Sequence, residues 1–71
     1  MRVELSDSAC LSPLVDDLLR GGCLPTRVDE TTLEVFHPYA ADAEEAQIEL
    51  AFFLRAWQSA HPGVELTLAA G

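Results

Sequence analysis

The chain contains no lysine and no asparagine, and only one isoleucine, one tryptophan, one tyrosine and two cysteines, in 71 residues. Basic charge therefore rests on four arginines, against twelve aspartates and glutamates, for a formal net charge of -8. Nucleic acids and anionic membranes are bound through clustered positive charge, so the balance argues against both as partners. No run approaches the ~20 apolar residues of a membrane span. The opening Met1-Arg2-Val3-Glu4-Leu5 has no apolar stretch of the secretory kind. Two cysteines are too few for a disulfide scaffold, and a reducing cytoplasm is the expected setting. The scarcity of Lys, Asn and Ile, whose codons are AT-rich, points to a GC-rich, bacterial genome.

Forty-nine per cent of the residues are hydrophobic, enough for a globular fold. Residues 1–71 are expected to form one small domain. A chain of this size buries only about 60% of the surface its unfolded form exposes, so the stability margin is thin.

Arg2, Val3, Glu4, Leu5 and Ser6 alternate polar and apolar, which predicts a half-buried strand ended by Asp7 and Ser8. Leu11, Leu14, Val15, Leu18 and Leu19 follow the spacing of one helical stripe. Ser12-Pro13 is the expected start of that helix, with an irregular turn over 8–12 in front. Asp16 and Asp17 are expected near its positive end, and Gly21-Gly22 at its stop. A hairpin is expected next, Leu24, Thr26 and Val28 alternating on one arm and Leu33 and Val35 on the other, around a turn at Asp29-Glu30-Thr31-Thr32. The apolar pattern predicts Val28 opposite Leu33, Thr26 opposite Val35 and Leu24 opposite His37. A slip of one residue would set Arg27 beside Leu33 on the core side, at a cost. Pro25 favours an edge position.

Asp42 followed by Glu45 resembles a capping box, and strong helix formers continue to Ala60, where His61-Pro62-Gly63 stops them. Val64, Leu66 and Leu68 alternate with Glu65 and Thr67 as a last strand. The expected core is Val3, Leu5, Leu14, Leu18, Val28, Leu33, Val35, Leu50, Phe53, Leu54, Trp57, Val64 and Leu66.

The element order β-α-β-β-α-β predicts an α+β sandwich of the ferredoxin-like, split βαβ kind: a four-stranded antiparallel sheet in the order 4-1-3-2, two helices on one face. The architecture resembles that of ACT-type regulatory domains. That likeness implies a small-metabolite groove among the loops at 7–10, 29–32 and 61–63. It is a likeness of topology, and Asp7-Ser8-Ala9-Cys10 lacks the glycine usual there in ACT domains.

Few residues carry chemistry. Cys10 precedes a helix start, where the dipole lowers a thiol pKa. Cys10-Leu11-Ser12-Pro13 resembles the Cys-Pro-x-Pro motif of TusA-type sulfur carriers, which implies a reactive thiol at Cys10; here Leu11 stands in place of the first proline. Cys23 lies at the far end of the first helix, too distant from Cys10 for a disulfide. His37 and His61 are expected at opposite ends, and neither Cys-x-x-Cys nor His-x-x-x-His spacing occurs. No glycine-rich loop opens a helix to cradle phosphate. No cofactor or metal is expected.

The second helix carries the clearest hint. Ala46, Leu50, Phe53, Leu54 and Trp57 form one stripe, and Ile48 and Phe52 fall roughly 160–200° from its centre, four residues apart and stacked. An outward Ile–Phe pair among Glu44, Glu45, Glu49, Arg55 and Ser59 is a candidate contact patch. The expected function is a small acidic cytoplasmic interaction or accessory module without catalytic activity, contacting a protein partner or a second copy through Ile48 and Phe52. The alternatives are a thiol or sulfur carrier acting through Cys10 and an ACT-like metabolite-binding domain.

Overall fold

The computed structural model describes residues 1–69. The alternation at the start of the chain produces β1 (Arg2–Leu5), with Val3 and Leu5 buried and Arg2 and Glu4 exposed. Asp7 closes the next turn: its carboxylate accepts from the Ala9 N–H at 3.0 Å, and its carbonyl accepts from the Cys10 N–H at 3.1 Å. A single 3-10 turn over Ser8–Cys10 runs directly into α1 (Leu11–Arg20).

The helix begins before Ser12-Pro13, which corrects two expectations. Ser12 is not the cap; its hydroxyl accepts from Arg27 Nη2 at 2.6 Å. Asp16 and Asp17 fall in the second turn, beyond the reach of the positive end. Leu11, Leu14 and Leu18 are buried, whereas Leu19 is 52% exposed. At 100° per residue Leu19 stands roughly 110° from the centre of the Leu11/Leu14/Leu18 stripe. The helix closes on paired bonds, Cys23 N–H to Leu18 O at 2.9 Å and Gly22 N–H to Leu19 O at 3.1 Å, with Gly22 at φ 86°. That left-handed residue is where glycine costs least.

β2 (Leu24–Asp29) and β3 (Thr32–Phe36) form the hairpin, in a register other than the expected one. Leu24 pairs with Phe36, Pro25 with Val35, Thr26 with Glu34 and Arg27 with Leu33, and the pairing then skips to Asp29 with Thr32. The turn explains the difference. Asp29 Oδ1 accepts from the Thr31 N–H at 2.9 Å and from the Thr31 hydroxyl at 3.3 Å, which tightens the loop to Glu30 and Thr31. Val28 becomes the extra residue of a bulge and is 48% exposed instead of belonging to the core. Arg27 takes the place beside Leu33. Its cost is relieved because β2 is an edge strand, so the guanidinium reaches out to Ser12 rather than into the core.

Asp42 and Glu45 start α2 (Ala43–Ala60) as expected. Asp42 Oδ1 accepts from the Glu45 N–H at 2.8 Å, and Glu45 Oε2 accepts from the Ala41 N–H at 3.1 Å. Ala46, Leu50, Leu54 and Trp57 are buried, while Phe53, at the margin of the stripe, is half-buried against Gly21. After the His61-Pro62-Gly63 turn, Val64 is buried and β4 (Leu66–Ala69) completes the sheet. Leu66 is half-buried rather than fully enclosed.

The fold is mixed α+β, a four-stranded antiparallel sheet with two helices. Its strand order is β2-β3-β1-β4, which reads 4-1-3-2 from the β4 edge. Val3, Leu5, Leu33 and Val35 of the central strands share one core with Leu11, Leu14 and Leu18 of α1 and Leu50, Leu54 and Trp57 of α2. Trp57 Nε1–H donates to Asp17 Oδ2 at 2.8 Å and ties the two helices together.

Candidate functional site

The outward face of α2 is set by the residues that are buried. Leu50, Leu54 and Trp57 hold one side of the helix in the core, so Ile48 and Phe52 must leave on the other. They are 60% and 75% exposed. Glu44, Glu45, Glu49, Arg55 and Ser59 around them are exposed as well. Ser59 is occupied locally, its hydroxyl donating to Arg55 O at 3.1 Å. The result is an apolar pair with an acidic surround on a rigid helix.

Other apolar side chains are exposed elsewhere. Leu24 and Phe36 face each other across β2 and β3 on the open side of the sheet, and Tyr39 lies over Gly22. Phe36 was legible as a wet-face residue. Leu24 was not, because its exposure follows from the shifted hairpin register.

Cys10 is half-buried directly before α1, as expected. Its Sγ lies 3.9 Å from Asp7 Oδ2. His61 is engaged elsewhere, its ring stacked on Trp57 with centroids 3.8 Å apart and Nδ1 2.8 Å from Trp57 O. Among the described residues no hydrogen bond joins it to Cys10. Cys23 is buried and its thiol is pushed up, first by burial and then by the charge of Glu49. Both cysteines are free.

His37 packs at the other end, with Nε2 against Glu49 Oε2 at 2.5 Å. Beside it a cavity of about 370 Å³ is lined mainly by Met1, Val35, Phe36, Ala40, Ala43 and Ala46. It opens at the 37–42 connection, away from the loops where the ACT likeness would place a ligand. Among the described residues no three His, Cys, Asp or Glu side chains converge for a metal ion, and no helix is long and apolar enough to cross a membrane. Sequence reasoning missed the Asp17–Trp57 bond and this cavity, since both depend on how distant elements meet.

Comparison with protein-family models, with curated proteins and with solved structures finds no match to this chain.

Proposed function

We propose that the chain is a non-catalytic, cytoplasmic interaction module of ferredoxin-like topology that docks another protein through Ile48 and Phe52. The observation that carries the reading is the exposure of this i,i+4 pair, 60% and 75%, on a helix whose opposite side, Leu50, Leu54 and Trp57, is buried in the core. The order β-α-β-β-α-β with the sheet order 4-1-3-2 supports the topology. The net charge of -8 supports a partner whose apolar socket has a basic rim, because opposite potentials speed encounter and fix orientation. Burying the two side chains contributes roughly 3–6 kcal/mol before the cost of association. A thiol carrier is the weaker reading, since Asp7 faces Cys10.

The test uses three matched baits: the parent chain, Phe52→Ser, and Phe36→Ser as an equally apolar exposed control. A basic protein from the source organism's lysate is expected on the parent and Phe36→Ser baits, absent from Phe52→Ser, and released as salt rises. Equal capture by all three baits, or unfolding of Phe52→Ser, overturns the proposal.

A further inference from the structure

We propose that two copies of this chain pair through the free edge of β4, forming a two-fold dimer with a continuous eight-stranded sheet. The sheet has two edges, and they differ. On the β2 side, Val35 N–H donates to Met1 O at 2.7 Å, so Val35 turns its backbone groups towards β1. Pro25, opposite Val35, therefore points its ring nitrogen at the free edge and offers no donor there. The bulge between Arg27 and Asp29 bends the rest of that edge. Proline and a bulge are two of the devices that keep an edge from pairing.

The β4 edge has neither. Ser6 N–H donates to Glu65 O at 2.9 Å and Glu65 N–H to Ser6 Oγ at 2.8 Å, so the backbone groups of residue 65 face β1. Alternation gives Thr67 and Ala69 the same direction and turns the N–H and C=O of Leu66 and Leu68 outwards. Leu66 to Ala69 carry no charge. An antiparallel pairing centred on Thr67 sets Leu66 of each copy against Leu68 of the other. Each such pair exchanges two backbone hydrogen bonds. The edge is thus complementary to itself.

The neighbouring surface fits the same occupant. A groove of about 180 Å³ runs between α2 and β4, lined by Ala51, Leu54, Arg55, Gln58, Leu66 and Leu68. It contains no acidic residue, although the chain carries twelve. Two copies of charge -8 that meet along this groove therefore bring no acidic side chain of its lining against another. Four further strands at about 4.8 Å spacing bring the two α2 helices alongside each other over the joined sheet. An 18-residue helix is about 27 Å long, and helix plus sheet stand about 20 Å tall. The joined side then buries on the order of 500 Å² per copy, which belongs to the small, reversible class of interfaces. Phe52 lies on the crest of α2, outside this contact, so the inference does not rest on the docking reading above.

Sedimentation velocity on the full chain, from about 10 to about 500 µM, reads the equilibrium directly. The expected result is a concentration-dependent dimer that tightens as NaCl rises from about 0.05 to about 0.5 M, because screening weakens repulsion between like-charged copies. Ala51→Glu, on the exposed flank of α2, is expected to weaken dimerisation at least about tenfold with an unchanged melting temperature. Phe52→Ser is expected to leave it unchanged. In a Cys10→Ala/Cys23→Ala background, Thr67→Cys lies on the two-fold axis and should oxidise to a covalent dimer, while Thr26→Cys on β2 should not. A monomer throughout the range, equal cross-linking at positions 26 and 67, or a dimer indifferent to Ala51→Glu overturns the proposal.

Discussion

Asp17→Ala is expected to loosen the packing of α1 on α2, and the size of the effect follows from one bond. Trp57 is 6% exposed, and its indole N–H has Asp17 Oδ2 at 2.8 Å as acceptor. A hydrogen bond to a charged group contributes about 1.5–3 kcal/mol when its loss leaves the donor buried. The Asp17 side chain is 34% exposed, so water reaches part of the vacated space and the lower end applies, about 1.5–2 kcal/mol. The Arg20 ion pair to the same carboxylate adds little, because Arg20 is 78% exposed. Asp17→Asn keeps an acceptor and should recover most of the loss. Urea unfolding followed by circular dichroism measures the change, and a double-mutant cycle of Asp17→Ala with Trp57→Phe isolates the coupling at about 1 kcal/mol. In a domain this small 1 kcal/mol corresponds to about 4–8 °C. A coupling near zero, or Asp17→Asn costing as much as Asp17→Ala, would show that the Asp17–Trp57 bond does not hold the helices together.

Three further outcomes are expected. Val28→Thr should change stability by less than about 0.5 kcal/mol, since Val28 is exposed in the bulge; a loss of more than about 2 kcal/mol in the urea midpoint analysis would restore Val28 to the core. The backbone N–H of Thr31 holds the Asp29 carboxyl below its ordinary pKa of 3.8. Its contribution is therefore complete above that pH and fades as pH falls through the lower folded-state pKa. Asp29→Ala should be less stable at neutral pH and lose less on acidification, and parallel acid-unfolding curves would contradict this. Iodoacetamide at mildly alkaline pH should label Cys10 well before Cys23, whose thiol is buried and pushed up; equal rates by mass spectrometry would show that Cys23 is accessible.

Elements specified by local chemistry were legible in the sequence. Asp42 and Glu45 cap α2, His61-Pro62-Gly63 ends it, and Gly22 closes α1, each through bonds among near neighbours in the chain. The outward position of Ile48 and Phe52 follows from helical geometry alone once Leu50, Leu54 and Trp57 are assigned to the core. The hairpin register was not legible. Hydrophobic alternation favoured Val28 against Leu33, but the Asp29 side chain tightened the turn and a bulge absorbed the mismatch. Likewise Ser12 has the chemistry of a cap, yet Asp7 starts the turn five residues earlier and Ser12 is left to receive Arg27. Leu24, Leu19 and Phe53 differ from expectation because register and helix rotation, rather than residue type, decide what an amphipathic element buries.

The contact role of the α2 outward face is tested most directly by a photoreactive phenylalanine analogue placed at position 52 and irradiated in the source organism's lysate. Leu19, 52% exposed, and Tyr39, 81% exposed, supply control positions of similar accessibility. One dominant adduct is expected at position 52, with a basic protein, weakened by salt and absent at positions 19 and 39. The same adducts at all three positions, or none at 52, would contradict that role.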